Sequence, residues 1–388
     1  MIAIADRLEN VLPSATLALT AKAKDLKAKG NPVISLAAGE PDFPVPAEAK
    51  NAILKALEAN FTKYTPTSGT PELKEAVVKK IKRDQGLDVK PNEVVISCGA
   101  KHSLYNLIQV LCSPGDEIIL PNPYWVSYPE MAKLAGARSV LVDTFDTGFL
   151  LTADLIERAV TPRTKVVVLN SPSNPTGAVI DKAEVEKIAR LVKSRGLFCI
   201  SDEIYEYYTY DGKRHTSIAT FFDGKFQDHV AIVNGTSKSY AMTGLRIGYT
   251  VTSPSIVAKI GILQDHSTSN PVSLSQAAAV AALGLGPEYE TQLRSSFQKK
   301  RDLMMDLLAP IKKLKAFRPS GAFYVFVNVA GTGLKPEVFS NRLLEEKFVA
   351  AIPGESFGAD EWVRLSFAAS VADIQEGVRR IREWVEKL

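Results

Sequence analysis

The sequence predicts an α/β fold: a mostly parallel sheet sandwiched by helices, with a smaller α+β domain beside it. Three observations carry that expectation. Between about residues 71 and 250, short apolar runs alternate with stretches of helical periodicity, as strand–helix–strand units on both faces of one sheet require. The run Lys165-Val166-Val167-Val168-Leu169-Asn170 is apolar at consecutive rather than alternate positions, the mark of a parallel strand buried on both faces. Beyond about Pro271 the texture changes to long charged helical stretches around short strands.

Taken in order, residues 93–97 read as a strand, 100–112 as the helix after it and 117–120 as the next strand. The run 165–170 follows, then a helix marked by Val185, Ile188 and Val192, and strands at 197–201, 230–233 and 247–251. In the last third, helices over 288–308 and 371–388 flank strands over 322–327, 349–352 and 363–367. The division expected is an N-terminal segment over 1–46, a large domain over 47–280 and a small domain over 281–388. The N-terminal segment, with its loop Gly39-Glu40-Pro41-Asp42-Phe43-Pro44, fits neither pattern. Packing on the smaller domain and reaching across to another subunit both stay open for it.

Composition narrows the function classes. A chain of 388 residues is long enough for two domains with a substantial shared core. The net charge of +4 is spread without a basic run, which argues against nucleic acid and leaves local cationic pockets for small anions. Cys98, Cys112 and Cys199 sit in apolar stretches without metal-ligand spacing, and His102, His215, His229 and His266 are scattered. Reduced thiols and no metal site are therefore expected. The first twenty residues lack a secretory pattern, and no apolar stretch reaches membrane-span length. A cytoplasmic protein with no membrane partner is the expectation.

In a doubly wound sheet, ligands bind beyond the carboxyl ends of the strands. Four polar groups follow strand ends here: Gly99-Ala100-Lys101, Asn174-Pro175-Thr176-Gly177, Asp202-Glu203-Ile204-Tyr205 and Ser237-Lys238. Each has an ordinary reading. Lys238 alone is a solvated lysine, Asp202 a helix cap, Tyr205 a half-buried aromatic and Asn174 a turn residue before proline. Gly99 alone is a strand-to-helix turn. The functional reading is that a lysine in a partly dry cleft, with Arg246 eight residues on, has a lowered pKa and can attack an aldehyde. A helix opening at Gly99 presents free N–H groups to a phosphate. Its spacing matches neither GxGxxG nor a P-loop, which disfavours dinucleotides and nucleoside triphosphates. A carboxylate such as Asp202 suits the pyridine nitrogen of pyridoxal phosphate, with Tyr205 and Asn174 in reach of the ring oxygen.

Together with Met242-Thr243-Gly244-Leu245-Arg246-Ile247-Gly248, these motifs closely resemble the class I aminotransferases. Within them the chain is similar to the bacterial subgroup of aspartate and aspartate/prephenate aminotransferases. The resemblance runs from Pro13-Ser14-Ala15-Thr16 to Val363-Arg364-Leu365-Ser366-Phe367. It implies pyridoxal 5'-phosphate as cofactor, with Lys238 as the Schiff-base lysine and Asp202 on the pyridine nitrogen. Tyr205 and Asn174 then bond the ring oxygen, and Trp125 stacks on the ring face. Gly99, Ala100, Lys101, Ser237 and Arg246 hold the phosphate. Tyr64 reaches the phosphate of a neighbouring subunit, which implies a homodimer with shared sites. Arg364, by itself an exposed edge arginine, becomes the grip on the substrate α-carboxylate, assisted by Asn174 and the backbone of Gly39. Lys101 meets the distal carboxylate of aspartate or glutamate, with Thr16 and Trp125 beside it.

The resemblance thus implies a ping-pong amino transfer between amino acids and 2-oxo acids. Two positions depart from the pattern. Leu12 stands where members accepting prephenate carry a basic residue, which ranks prephenate below aspartate, and Leu245 stands where many have tryptophan. Rival readings are another aminotransferase of aromatic, alanine or diaminopimelate type, a lyase, and a catalytically silent regulator domain. Such regulators carry an N-terminal DNA-binding domain, whereas here the family motif begins at Pro13.

Overall fold

The computed structural model describes residues 5–13 and 15–388. Residues 1–4 and Ser14, parts of the N-terminal segment and of its Pro13-Ser14-Ala15-Thr16 motif, lie outside the described residues.

The chain enters with the helix Ala15–Ala28 and a short strand β1 (Ile34–Ser35). Seven strands then build the larger sheet: β2 (Val94–Ser97), β3 (Glu117–Asn122), β4 (Arg138–Asp143), β5 (Thr164–Asn170), β6 (Phe198–Asp202), β7 (Val230–Gly235) and β8 (Gly248–Val251). Their order is β2-β8-β7-β6-β5-β3-β4. Neighbours run parallel except at β8, which is antiparallel to both β2 and β7. The expected α/β fold with a mostly parallel sheet is what forms. Val166, Val167, Val168 and Leu169 of β5 are all buried, as consecutive apolar positions demand when helices cover both faces. The smaller sheet comprises β9 (Lys315–Phe317), β10 (Tyr324–Asn328), β12 (Ile352–Pro353) and β13 (Trp362–Ser366), in the antiparallel order β12-β13-β10-β9. Between them in sequence, β11 (Val349–Ala350) pairs in parallel with β1.

Three details differ from the sequence expectation. The strand expected over 349–352 is two strands: β11 bonds to β1, and after Ala351 the chain changes partner to β13. Strand β4 differs from the expectation: it forms the sheet edge and exposes Arg138, Leu141 and Asp143, and its apolar stretch is only the three residues Val140-Leu141-Val142. Strand β9, three residues long at the edge of the smaller sheet, gives no periodic signal either.

Register positions the site. Asn170 pairs with Asp202, and Asp202 with Val233, so β5, β6 and β7 end at one level and release their loops on one side. Antiparallel β8 starts at that level, with Gly248 opposite both Gly235 and Ser97. A Cβ on Gly248 would lie 2.2 Å from the backbone nitrogen of Ala100. Only glycine lets the start of the helix Ala100–Leu111 sit that close to β8.

Candidate active site

A cavity of about 400 Å³ opens beyond the carboxyl ends of these strands. Its walls come from three directions: the helix Ala15–Ala28 with the loop at Gly39, the ends of the larger sheet, and Tyr324 and Arg364 of the smaller one.

Asp202, the last residue of β6, is 4 % exposed. It accepts from the Tyr128 hydroxyl at 2.6 Å and from the backbone of Ile204 at 3.3 Å. Burial pushes its pKa up to about 6 against those bonds, so a cationic partner is what would hold it ionised. Lys238, half-buried five residues past Val233, donates to the carbonyl of Gly39 at 2.6 Å. Burial first, and then the cations of Arg364 and Arg246, bring its pKa down to about 8.

At the other end, Gly99 has φ 89° and caps the helix Ala100–Leu111. A Cβ there would lie 2.5 Å from Nη2 of Arg246. Arg246 itself has φ 55° and donates to the carbonyls of Thr243 at 2.9 Å and Cys98 at 3.3 Å. Its guanidinium is thereby fastened beside free helix N–H groups, with Ser237 lining the same cavity. That is a cradle for a phosphate.

Arg364 is not the edge arginine of the ordinary reading. It sits on β13 in the middle of the smaller sheet, opposite Phe326 and Ile352, and is 4 % exposed. Nη1 donates to Oδ1 of Asn174 at 2.9 Å and Nη2 to the carbonyl of Ala37 at 3.0 Å, while Nε has no hydrogen-bond partner among the described residues. Burial lowers its pKa. A buried guanidinium without a carboxylate is costly, and a carboxylate ligand would relieve it.

Lys101 places Nζ 5.0 Å from the ring centre of Trp125, and partial burial together with Arg246 lowers its pKa. Trp125 lines the cavity and meets Tyr128 edge-on at 5.2 Å. Thr16 lines the wall from its helix, and Tyr205 sets its hydroxyl 2.9 Å from that of Tyr324. Of the expected residues, Tyr64 is not brought in, being 92 % exposed and away from the cavity, and Gly99 does not line it either but abuts Arg246, which does. Sequence reasoning missed Thr20, Lys24, Tyr128 and Tyr324, all of which line it. The one available signal was the i, i+4, i+8 spacing of Thr16, Thr20 and Lys24, which puts them on one helix face. Among the described residues no group of His, Cys, Asp or Glu side chains is arranged to hold a metal, and no helix is long and apolar enough to cross a membrane.

Residues 31–381 match the family Aminotransferase class I and II. The chain belongs to that family. Among its relatives, an aspartate aminotransferase of Geobacillus stearothermophilus is 45 % identical over 390 residues, with 99 % of each chain covered. An aspartate/prephenate aminotransferase of Cereibacter sphaeroides is 41 % identical over 394 residues, with 98 % of each covered. The crystal structure of the aspartate aminotransferase from Rhizobium meliloti superposes with a TM-score of 0.94 at 38 % identity, covering 100 % of both chains. That of Thermus thermophilus with maleate gives 0.93 at 40 % identity, covering 99 % of this chain and 100 % of the other. The cofactor of class I and II aminotransferases is pyridoxal phosphate. The residues present fit it: a reactive amine at Lys238, a buried carboxylate wanting a cation at Asp202, and an anion cradle at Gly99 and Arg246.

Proposed function

We propose that this class I aminotransferase transfers the amino group between L-aspartate or L-glutamate and 2-oxoglutarate or oxaloacetate. The observation that carries the reading is one cavity that holds a lysine amine together with two cations for carboxylates, the buried Arg364 and Lys101 over the Trp125 ring.

Bound there, the cofactor supplies an electron sink for the pair released at the substrate Cα. Asp202 holds the ring nitrogen protonated, Tyr205 and Asn174 donate to the ring oxygen, and Trp125 covers the ring face. Backbone N–H groups of Gly99, Ala100 and Lys101, with Ser237 and Arg246, hold the phosphate. Arg364 grips the α-carboxylate, with Asn174 and the backbone of Gly39 beside it, and turns the Cα–H bond toward Lys238. That orientation supplies several kcal/mol of the barrier reduction. Lys238 Nζ would take the proton from the substrate Cα as base and, as acid, give it up at the cofactor carbon joined to the substrate nitrogen, C4′. Lys101 and Thr16 receive the distal carboxylate.

We further assign a cytoplasmic homodimer in which Tyr64 reaches the partner's phosphate site. Its exposure and that of Phe61 and Val272, neighbours through the Ser273–Phe61 hydrogen bond, support a face that a second copy covers. The N-terminal segment 1–46, large domain 47–280 and small domain 281–388 stand as the proposed division. Prephenate ranks below aspartate, because Leu12, 67 % exposed, offers no charge to a further carboxylate.

The test is to add L-aspartate to the cofactor-loaded protein without an oxo acid and follow the visible band. Its loss is expected. A band unmoved by aspartate but removed by phenylalanine would overturn the role of Lys101, and no band at all would overturn the function.

A further inference from the structure

One cavity residue touches both the carboxylate side and the ring side. Tyr324 opens β10 and is 1 % exposed. Its ring lies 4.2 Å from the guanidinium carbon of Arg364, and its hydroxyl is 2.9 Å from that of Tyr205. A Cβ on Gly39 would come within 3.5 Å of that hydroxyl. Phe323 packs at 4.7 Å from the Tyr324 ring and edge-on at 5.2 Å from Tyr205, which fixes both rings. Tyr324 thus joins a residue of the smaller sheet to one on a loop of the larger.

We propose that Tyr324 is a positioning residue that couples carboxylate binding at Arg364 to the hydrogen bond Tyr205 makes to the cofactor's ring oxygen. A phenol has one proton to donate and lone pairs to accept with. When Tyr205 donates to the ring oxygen, its bond to Tyr324 survives only with Tyr324 as donor. Donors in series strengthen one another, so Tyr324 reinforces the hold of Tyr205 on an ionised ring oxygen. Burial keeps both phenols protonated and able to donate. The cation of Arg364 favours that ionised oxygen through the same contact, and a carboxylate seated on Arg364 neutralises part of the effect. The other charged or titratable groups facing Tyr205 and the ring position are Asp202 with its donor Tyr128, Lys238, Arg246, Glu40 and Lys101 of the same cavity, and Tyr208, whose hydroxyl bonds the carbonyl of Lys238 at 2.7 Å. Of these, Tyr208 also feels the Tyr324 hydroxyl, but its bond to the carbonyl of Lys238 is made independently of it.

This inference rests on the cofactor assignment above. Its test is the pH midpoint of the visible band of the holoenzyme, alone and with saturating maleate, a dicarboxylate without an amino group. In the parent, maleate is expected to raise the midpoint. Tyr324→Phe keeps the ring over Arg364 and removes the hydroxyl. It should raise the ligand-free midpoint by roughly 0.1–0.6 pH unit, the tenth to a third of a charge-assisted bond that a donor in series adds. The maleate-induced shift should shrink while maleate affinity holds. In a Tyr205→Phe background the same change should do nothing to the midpoint, because its route is gone. Replacing Tyr324 by 3-fluorotyrosine preserves shape and sharpens the donor, and should lower the midpoint even where Tyr324→Phe fails to load cofactor. A parent-like midpoint and maleate shift in these variants, or an undiminished effect of Tyr324→Phe without Tyr205, overturns the coupling. Failure of the assigned function looks different: no band, or a band that L-aspartate leaves unchanged.

Discussion

The segment from Asp202 to Tyr207 faces two ways, and its two sides treat charge differently. Toward the cavity it presents Asp202 and Tyr205, amid Lys238, Arg246, Arg364 and Lys101. Away from it, Glu203, Glu206 and Tyr207 enter a closed cluster. There Glu206 pairs with Lys80 and accepts from Asn234 at 2.6 Å, Lys80 lies 3.3 Å from Asp84, and Asp84 accepts from Tyr207 at 2.5 Å. Glu203 accepts from Ser201, Ser217 and Gln85 at 2.6–2.9 Å and sits 3.1 Å from Nε2 of His215. Each carboxylate of that cluster has a cation beside it. The cavity instead holds a surplus of cations. Matched buried charge marks a part of the molecule that holds itself together; a surplus of cations around a cavity, of which Arg364 is buried, marks one shaped for an anion.

The largest expected break in this comparison is at Lys238. Lys238→Ala should cut multiple-turnover activity at least about 10³-fold with aspartate binding partly kept, and sustained turnover would remove Lys238 from its role. Next comes the closed side: Lys80→Met leaves Glu206 without its cation and should cost about 3–5 kcal/mol in denaturant unfolding. The kcat/KM of the folded fraction should stay near the parent value. Arg364→Leu should do the reverse, removing about 2–4 kcal/mol of transition-state binding from kcat/KM for aspartate without lowering Tm. If both substitutions moved stability and kcat/KM alike, the two sides would not differ in kind.

Finer effects sharpen the contrast. Lys101→Ser should weaken aspartate more than phenylalanine by roughly 1–3 kcal/mol, read as the ratio of their kcat/KM values. The smallest effect is at His215. Burial alone lowers its pKa, but the Glu203 carboxylate outweighs that and holds the imidazole above its usual range. Glu203 is likewise held below its usual range by His215 and the hydroxyls, against its burial. The imidazole's contribution is therefore complete below its ordinary value of about 6.5 and fades as pH rises through the raised one. The carboxylate's contribution is present above its own ordinary range and is lost as pH falls through the depressed value. Near pH 6 the parent should exceed His215→Gln by about 1 kcal/mol, and the gap should narrow toward alkaline pH in paired melting curves.

Much of this was legible in the sequence for a physical reason. Strands such as β5 are buried on both faces and announce themselves, and Asp202, Lys238 and Gly99 follow such strands directly. Strand β4 was silent because it is a short edge strand whose apolar stretch is only Val140-Leu141-Val142. Tyr128 and Tyr324 were silent for another reason: each sits in a segment that reads as packing, and only tertiary contact brings Tyr128 to Asp202 and Tyr324 to Tyr205 and Arg364. Arg364 was named through resemblance, but its burial in mid-sheet and its orphaned Nε belong to the fold. Tyr64 is exposed and away from the cavity, and the role proposed for it needs a second chain that one sequence does not display.

The two sheets share no strand, yet both supply walls of one cavity. A dicarboxylate held, as proposed, at once by Arg364 of β13 and by Lys101 beside the larger sheet would act as a rivet between them. At a concentration a hundredfold above its Kd it would add about 2.7 kcal/mol to the folded state. The resistance of the protein to heat and proteolysis would then rise and fall with the supply of its own substrates, a fuel gauge built into its durability.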